Sequence, residues 1–352
     1  MNLKKNQLVS LAAIVGMVVI GAGFGCGKGG GETTTTTTTS GTSGTPAAGV
    51  EGKITIDGSS TVYPISQAMA EEFMKANDKV DITVNQSGTG GGMKKFVAGE
   101  IDICNASRPI EDEEIAKAKE AGIEFIELPV AFDGLSIVVN KENTFAETLT
   151  VDELKKMWEP DSKVNNWKDV RAGFPDVPLK LFGTGTDSGT FEYVPDALVE
   201  KTKACGTEYS ASENDNDLVT GVKGEKGGLG YFGYAYYLEN KNDLKIVKVD
   251  GGNGGVEPNE TTINDGTYSP LSRPLFIYVK KASLQKPEVK AFIDYYLGSE
   301  GMKWIKDTGY VALPGKAYEL ARKHANELSV GTRFKGVQPG IKIEDVLANE
   351  SK

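Results

Sequence analysis

From residue 52 onward, short apolar runs alternate with amphipathic stretches. Residues 53–56 alternate polar and apolar and predict a strand. Ile65, Ala68, Met69 and Phe73 recur at helical spacing, and Pro64 suits a first helical turn. The pattern then predicts a strand over 80–84, a short helix over 93–98 stopped by Gly99, and a strand over 101–104. A helix over 111–121, with acids in its first turn, and a strand over 125–130 complete the run. Strand–helix alternation of this kind predicts an α/β lobe with a mostly parallel sheet.

Residues 134–140 (GLSIVVN) begin a second lobe. Thr150 and Glu153 form a capping-box pattern ahead of a helix. A strand over 179–182 follows. Residues 191–203 are helical in pattern, with Pro195 inside to kink or restart the helix. A helix is predicted over 216–223, a Gly- and aromatic-rich strand over 228–235 and a strand over 245–249. Residues 272–279 (SRPLFIYV) read as the return to the first lobe, completed by helices over 289–297 and 301–308. The expected domains are 51–132 plus 272–352 for lobe 1 and 133–271 for lobe 2. Two crossings, near 131–135 and 268–275, permit hinge closure over a ligand.

Candidate chemistry lies in three Gly/Ser/Thr loops: 57–61 (DGSST), 87–92 (SGTGGG) and 185–190 (GTDSGT). Each precedes a helix-like segment. Glycine lets backbone approach a ligand closely, and the following helix offers unpaired N–H groups. Three converging loops would cage a small oxyanion.

Length changes the picture little: 352 residues suit two lobes. The net charge of −10 and the lack of a long basic stretch argue against nucleic acid as a partner. An acidic protein that binds an anion must use local dipoles and a few placed cations. At the N-terminus, Lys4 and Lys5 precede an apolar stretch over 8–24, and Cys26 follows Gly25. This resembles a bacterial lipoprotein signal over 1–25, with Cys26 lipidated. An uncleaved single-span anchor is the alternative. Residues 26–50, with seven consecutive threonines, cannot bury enough apolar surface to fold and read as a tether. Cys104 and Cys205 are expected to be free, buried thiols. No Cys/His cluster points to a metal, no cofactor is called for, and the lone His324 is expected at the surface.

Six motifs in order, GSSTVYPI (58–65), SGTGGGMKKF (87–96), IDICNASRPI (101–110), GTGTDSGTFEY (183–193), GGLGYFGYAYY (227–237) and LSRPLFIYV (271–279), resemble the phosphate-binding subunit of the bacterial ABC-type phosphate transporter, the PstS family. The resemblance covers nearly everything from residue 52 onward. It implies a type II periplasmic-binding-protein fold with phosphate in a cleft between two α/β lobes. It also implies a non-enzymatic, monomeric, lipid-anchored receptor in the periplasm or on the outer face of the cytoplasmic membrane, serving an ABC permease.

Carried over by motif, the phosphate contacts would be Ser60, Thr61 and Val62, then Ser87, Gly88 and Thr89, then Ser188, Gly189 and Thr190. Enterobacterial members carry Asp where Arg108 stands, and Arg where Thr184 stands. The two charges have then exchanged lobes here. Arg108 would pair with phosphate oxygens. Asp187 would accept the proton that phosphate carries and sulfate lacks.

Other readings stay in view. Another tetrahedral oxyanion (sulfate, molybdate, tungstate) could occupy the cage. Asp187-Ser188-Gly189 also resembles the nucleophile region of a serine hydrolase, which would need a base near Ser188. The pattern GLGYFG (228–233) fits GxGxxG, but a turn precedes it, so it reads as a closely packed strand. Residues 213–217 resemble the start of a calcium loop but lack its glycine and closing glutamate. Trp158, Trp167 and Trp304 are expected in packing.

Overall fold

In the computed structural model, which describes residues 49–185, 193–194, 197–198, 209–212, 214–337 and 341–349, the first two glycine loops leave a parallel sheet. Strands β1 (Gly52–Gly58), β2 (Val80–Val84) and β3 (Ile103–Ala106) are parallel, with β1 in the middle. Helix α1 (Tyr63–Ala76) starts with Pro64 in its first turn. It buries Ile65, Met69 and Phe73, spaced four apart, because that spacing keeps them on one face. Helix α2 (Gly88–Val97) begins inside the second glycine loop, earlier than the apolar pattern predicts. Helix α3 (Asp112–Glu120) opens with a Glu111/Glu114 capping box.

The next strand, β4 (Phe125–Asn140), is 16 residues long and buried throughout. The sequence reads it as two runs, 125–130 and 134–140, but the structure joins them through 131–133. Strands β5 (Thr148–Thr150), β6 (Lys180–Thr184), β7 (Ser210–Ser212) and β8 (Gly228–Gly233) follow. Then come β9 (Leu244–Ile246), β10 (Lys248–Asp250), β11 (Gly255–Val256), β12 (Ser272–Lys280) and β13 (Val311–Ala312). The main sheet runs β2-β1-β3-β12-β4-β8-β6-β7, and β5, β10 and β11 form a separate sheet.

β4 carries both halves of the main sheet. Residues 125–134 pair antiparallel with β12, and 135–140 pair with β8 and β9. Pro129 is tolerated because the β4–β12 register skips Val130 beside it. Such a bulge leaves one residue outside the ladder. The Val130 carbonyl is satisfied instead by the Tyr318 hydroxyl at 2.7 Å.

The GxGxxG stretch is β8, as read, but it ends at Gly233 and a helix, Tyr234–Asn240, takes over where the sequence suggested strand to 235. Trp158 and Trp167 are fully buried, and Trp304 packs at the core's edge. Cys104 is a free, buried thiol, and Cys205 lies outside the described residues. His324 is not on the surface. It lies on the buried face of helix Gly315–Asn326, beside Ala321 and Ala325, where helix Ile343–Ala348 packs against it. Burial, with help from the Arg333 and Lys323 charges, pushes its imidazole down to about 4. Among the described residues no helix is long and apolar enough to cross a membrane.

Asp102 clamps the edge of β3 to the chain's return. Burial opposes its ionisation, but bonds from Ser283 Oγ (2.6 Å), Lys286 Nζ (2.9 Å) and both donors of Thr55 (3.0 Å each) hold its carboxyl below the ordinary value. A depressed folded pKa contributes stability above the unfolded value of about 4, lost as pH falls through the folded value. Asp102→Asn should therefore flatten the acid limb of stability against pH. Urea midpoints between about pH 2 and about pH 6 test this, and an unchanged acid limb would refute it.

Candidate functional site

The first two loops meet at the carboxyl ends of β1 and β3. Gly58, at φ +139°, faces Asn105 across the parallel pair, and Ser59 N donates to Asn105 O at 2.9 Å. Ser87 N donates to Gly58 O at 3.0 Å, which ties the second loop to the first. A Cβ on Gly92 would come within 2.4 Å of Gly58 Cα, so this helix glycine is required by the close approach of α2 to β1. Asp57, buried at the end of β1, accepts from Gly58 N and Ser87 Oγ at 2.7 Å each and pairs with Lys95. One carboxylate thus fixes both loops.

The predicted contacts fall into three kinds. Ser60 is half-buried and Thr61 is buried, with Thr61 N bonded to Ser59 Oγ at 3.2 Å. Val62 is fully buried, so its side chain belongs to the core and only its backbone could serve a ligand. Ser87 is exposed and Gly88 is half-buried at φ +74°, opening the helix. Thr89 is buried, accepts from Ser107 N and lies 3.2 Å from Ser107 Oγ. The hydroxyls of Ser87 and Thr89 are therefore already engaged, which orients them.

Arg108 follows Ser107 and turns toward α3. Its Nη1 and Nη2 donate to the two Glu114 oxygens at 2.9 and 2.8 Å, Nη1 also donates to Pro109 O, and Nε lies 3.1 Å from Glu111. Burial disfavours its charge, but Glu114 more than compensates and raises its pKa. The second N–H of Nη2 makes no hydrogen bond among the described residues, and Nε meets Glu111 only as an ion pair. This is the pairing with the α3 acids that competes with an anion-binding role. The third loop starts at Gly185, whose N donates to Ser212 O at 3.2 Å. Asp187, Ser188, Gly189, Thr190 and Cys26 lie outside the described residues.

Sequence reasoning missed a second arginine. Arg273 on β12 stands directly across from Asp133 on β4, where the two sheet halves join. Its Nη2 lies 3.3 Å from Asp133 Oδ2 and donates to Thr61 Oγ1 at 3.1 Å. Its guanidinium stacks 3.9 Å over the Tyr193 ring, and Tyr193 Oη donates to Pro270 O at 2.5 Å. Burial pushes the Asp133 carboxyl up and outweighs the adjacent guanidinium. Beside Arg273 is a cavity of 220 Å³, which Pro109 of the Arg108 turn also lines. The available signal was an arginine inside an otherwise apolar strand, paired with the lone aspartate of another (AFDGL, 131–135).

Two sheet halves sharing one long strand, with hydroxyl-rich loops and a buried ion pair at their junction, define the class: a two-lobe solute-binding protein. A family model described as a PBP superfamily domain matches residues 32–300. Protein SphX of Synechococcus elongatus is 47% identical over 301 residues, 84% of this chain and 88% of its own. The phosphate-binding protein PstS of Staphylococcus haemolyticus is 39% identical over 321 residues, 90% of this chain and 95% of its own. A crystal structure of a possible phosphate binding protein from Planctomyces limnophilus is 49% identical. It superposes with a TM-score of 0.75, covering 79% of this chain and 99% of that one. The chain belongs to the PstS family of phosphate-binding proteins. A serine hydrolase is not favoured: besides the family assignment, His324 is buried beneath the C-terminal helix.

Proposed function

We propose that this protein is a high-affinity, extracytoplasmic phosphate receptor that delivers inorganic phosphate to an ABC import permease. The observation that carries the reading is the junction of the first two loops at the carboxyl ends of β1 and β3, where Asp57 fixes Ser87 against Gly58. Ligands of open α/β sheets bind at strand carboxyl ends. Lobe 1 would comprise 51–132 and 272–352, lobe 2 would comprise 133–271, and β4 and β12 would serve as the crossings. Ser60, Thr61, the Val62 backbone, Ser87, Gly88 and Thr89 would bind from lobe 1. Ser188, Gly189 and Thr190 would close from lobe 2. Arg108 would offer the Nη2 N–H left over from its fork on Glu114, and Asp187 would accept the proton of phosphate. Such a receptor carries out no catalytic step: fixed donors replace the hydration shell of the ion. The chain would act as a monomer, tethered through 26–50 to a lipid on Cys26.

Calorimetry of the full chain with phosphate and with sulfate tests this. Phosphate should bind at least about 1,000-fold more tightly, since a carboxylate facing an unprotonated oxygen finds nothing to accept. Asp187→Asn should narrow that ratio by at least about tenfold. Equal affinity for the two ions in the native protein would overturn the phosphate reading.

A further inference from the structure

We propose that Arg273, braced by Asp133 and Tyr193, is the principal cation that contacts the bound phosphate. The inference rests on the phosphate reading above and assigns a ligand that the glycine motifs do not contain.

Position is the first argument. Arg273 Nη2 donates to the hydroxyl of Thr61, in the middle of the first binding loop. The same residue sits on β12 opposite Asp133 on β4, the two strands where the sheet halves join. Through Tyr193 it also touches the segment that follows the third loop. It therefore joins the first loop to Tyr193, two parts of the chain far apart in sequence.

Preorganisation is the second. The side chain of Arg273 is 15% exposed and that of Asp133 is 4% exposed. Stacking on Tyr193 fixes the plane of the guanidinium, and Asp133 fixes its position along the strand. A planar, permanently charged fork held in this way suits a tetrahedral oxyanion. Asp133 Oδ2 accepts from Arg273 Nε at 3.4 Å and Nη2 at 3.3 Å, which sets the guanidinium beside Thr61. Burial already disfavours the Asp133 charge.

Contrast with Arg108 is the third. Arg108 is 33% exposed and holds a tight fork on Glu114, with contacts to Glu111 and its own turn. Its charge is compensated before any ligand arrives. Arg108 then helps hold the turn after β3, whereas Arg273 stands against the hydroxyl of the first loop.

The alternative is that Arg273 is only a strut between β4 and β12. Truncating it alone would strand a buried carboxylate and endanger folding, so two variants are needed. Arg273→Lys keeps the charge and loses the fork. The double variant Arg273→Gln/Asp133→Asn removes both charges and leaves neutral, hydrogen-bonding side chains. Each is measured by calorimetry with phosphate, alongside Arg108→Gln and the native protein, with thermal melting to report folding. The expected result is a loss of at least about 100-fold in phosphate affinity for both Arg273 variants, against about tenfold or less for Arg108→Gln. A folded double variant, or Arg273→Lys, binding within about threefold of the native protein would overturn the assignment and leave phosphate binding intact. Absence of phosphate binding by the native protein would overturn the functional reading, and this assignment with it.

Discussion

Gly58→Ala is expected to remove about 3–5 kcal/mol of stability and at least about 100-fold of phosphate affinity. Gly58 has φ +139°, and an added Cβ would lie 2.1 Å from the backbone oxygen of Asn105. The obstacle is backbone on a neighbouring strand, so no rotamer change relieves it. Either β1 moves away from β3 or the peptide rotates. Both movements shift Ser59, whose N–H is bonded to the same Asn105 oxygen, and with it the loop carrying Ser60 and Thr61. They also disturb the second loop, because Ser87 N is bonded to Gly58 O. Misplacement of about 1 Å costs a preorganised site on the order of a hundredfold. Urea unfolding and calorimetry check the two effects. A variant within about 1 kcal/mol of the native protein and of unchanged affinity would show that the strand contact does not set the loops.

Glu127→Ala is the second large effect, expected at about 4 kcal/mol or more. Glu127 lies in β4 and is 1% exposed. It accepts from Tyr278 Oη and Thr332 Oγ1 at 2.7 Å each, from Arg333 N at 2.7 Å and from Phe334 N at 3.1 Å. Removing it leaves four buried donors without acceptors, at about 1–3 kcal/mol each before water and relaxation recover part. That approaches the whole stability of many domains, about 5–15 kcal/mol. Glu127→Gln separates charge from geometry. The surviving oxygen can keep Arg333 N and Phe334 N while the NH2 group donates to the Tyr278 and Thr332 hydroxyls, so the loss should be smaller than for alanine, about 1–2 kcal/mol. Hydrogen exchange should quicken first at residues 329–337, and Tyr278 would lose its anchor while still accepting from Ile110 N. Stability within about 1 kcal/mol of native for the alanine variant would contradict this account.

The first two loops were legible because their chemistry is local. Gly, Ser and Thr at strand ends state their backbone needs within a few residues, and α1 repeats its apolar positions every four. Capping at Thr150 and Glu153 was legible for the same reason, and both bonds are present. β4 reads as two runs in sequence, 125–130 and 134–140, with Asp133 and Gly134 at the break and Pro129 inside the first run. A bulge against β12 makes the proline harmless, and that bulge depends on a strand about 140 residues away. His324 was placed outside because its neighbours in sequence are polar, whereas the C-terminal helix that covers it comes later in the chain.

Arg273 and Glu127 show the same limit. Each is a charged residue in an apolar strand, and the sequence marks each as unusual without naming a partner. Asp133 lies 140 residues from Arg273, and Thr332 lies 205 from Glu127. By itself the sequence determined the α/β class, the family through its ordered motifs, and two loops of the proposed site, because short-range sterics, periodicity and motif order are written into neighbouring residues. Tertiary structure alone decided which charges meet, which are buried and which arginine stands beside Thr61. Pairing and desolvation depend on the distance through space between residues far apart along the chain.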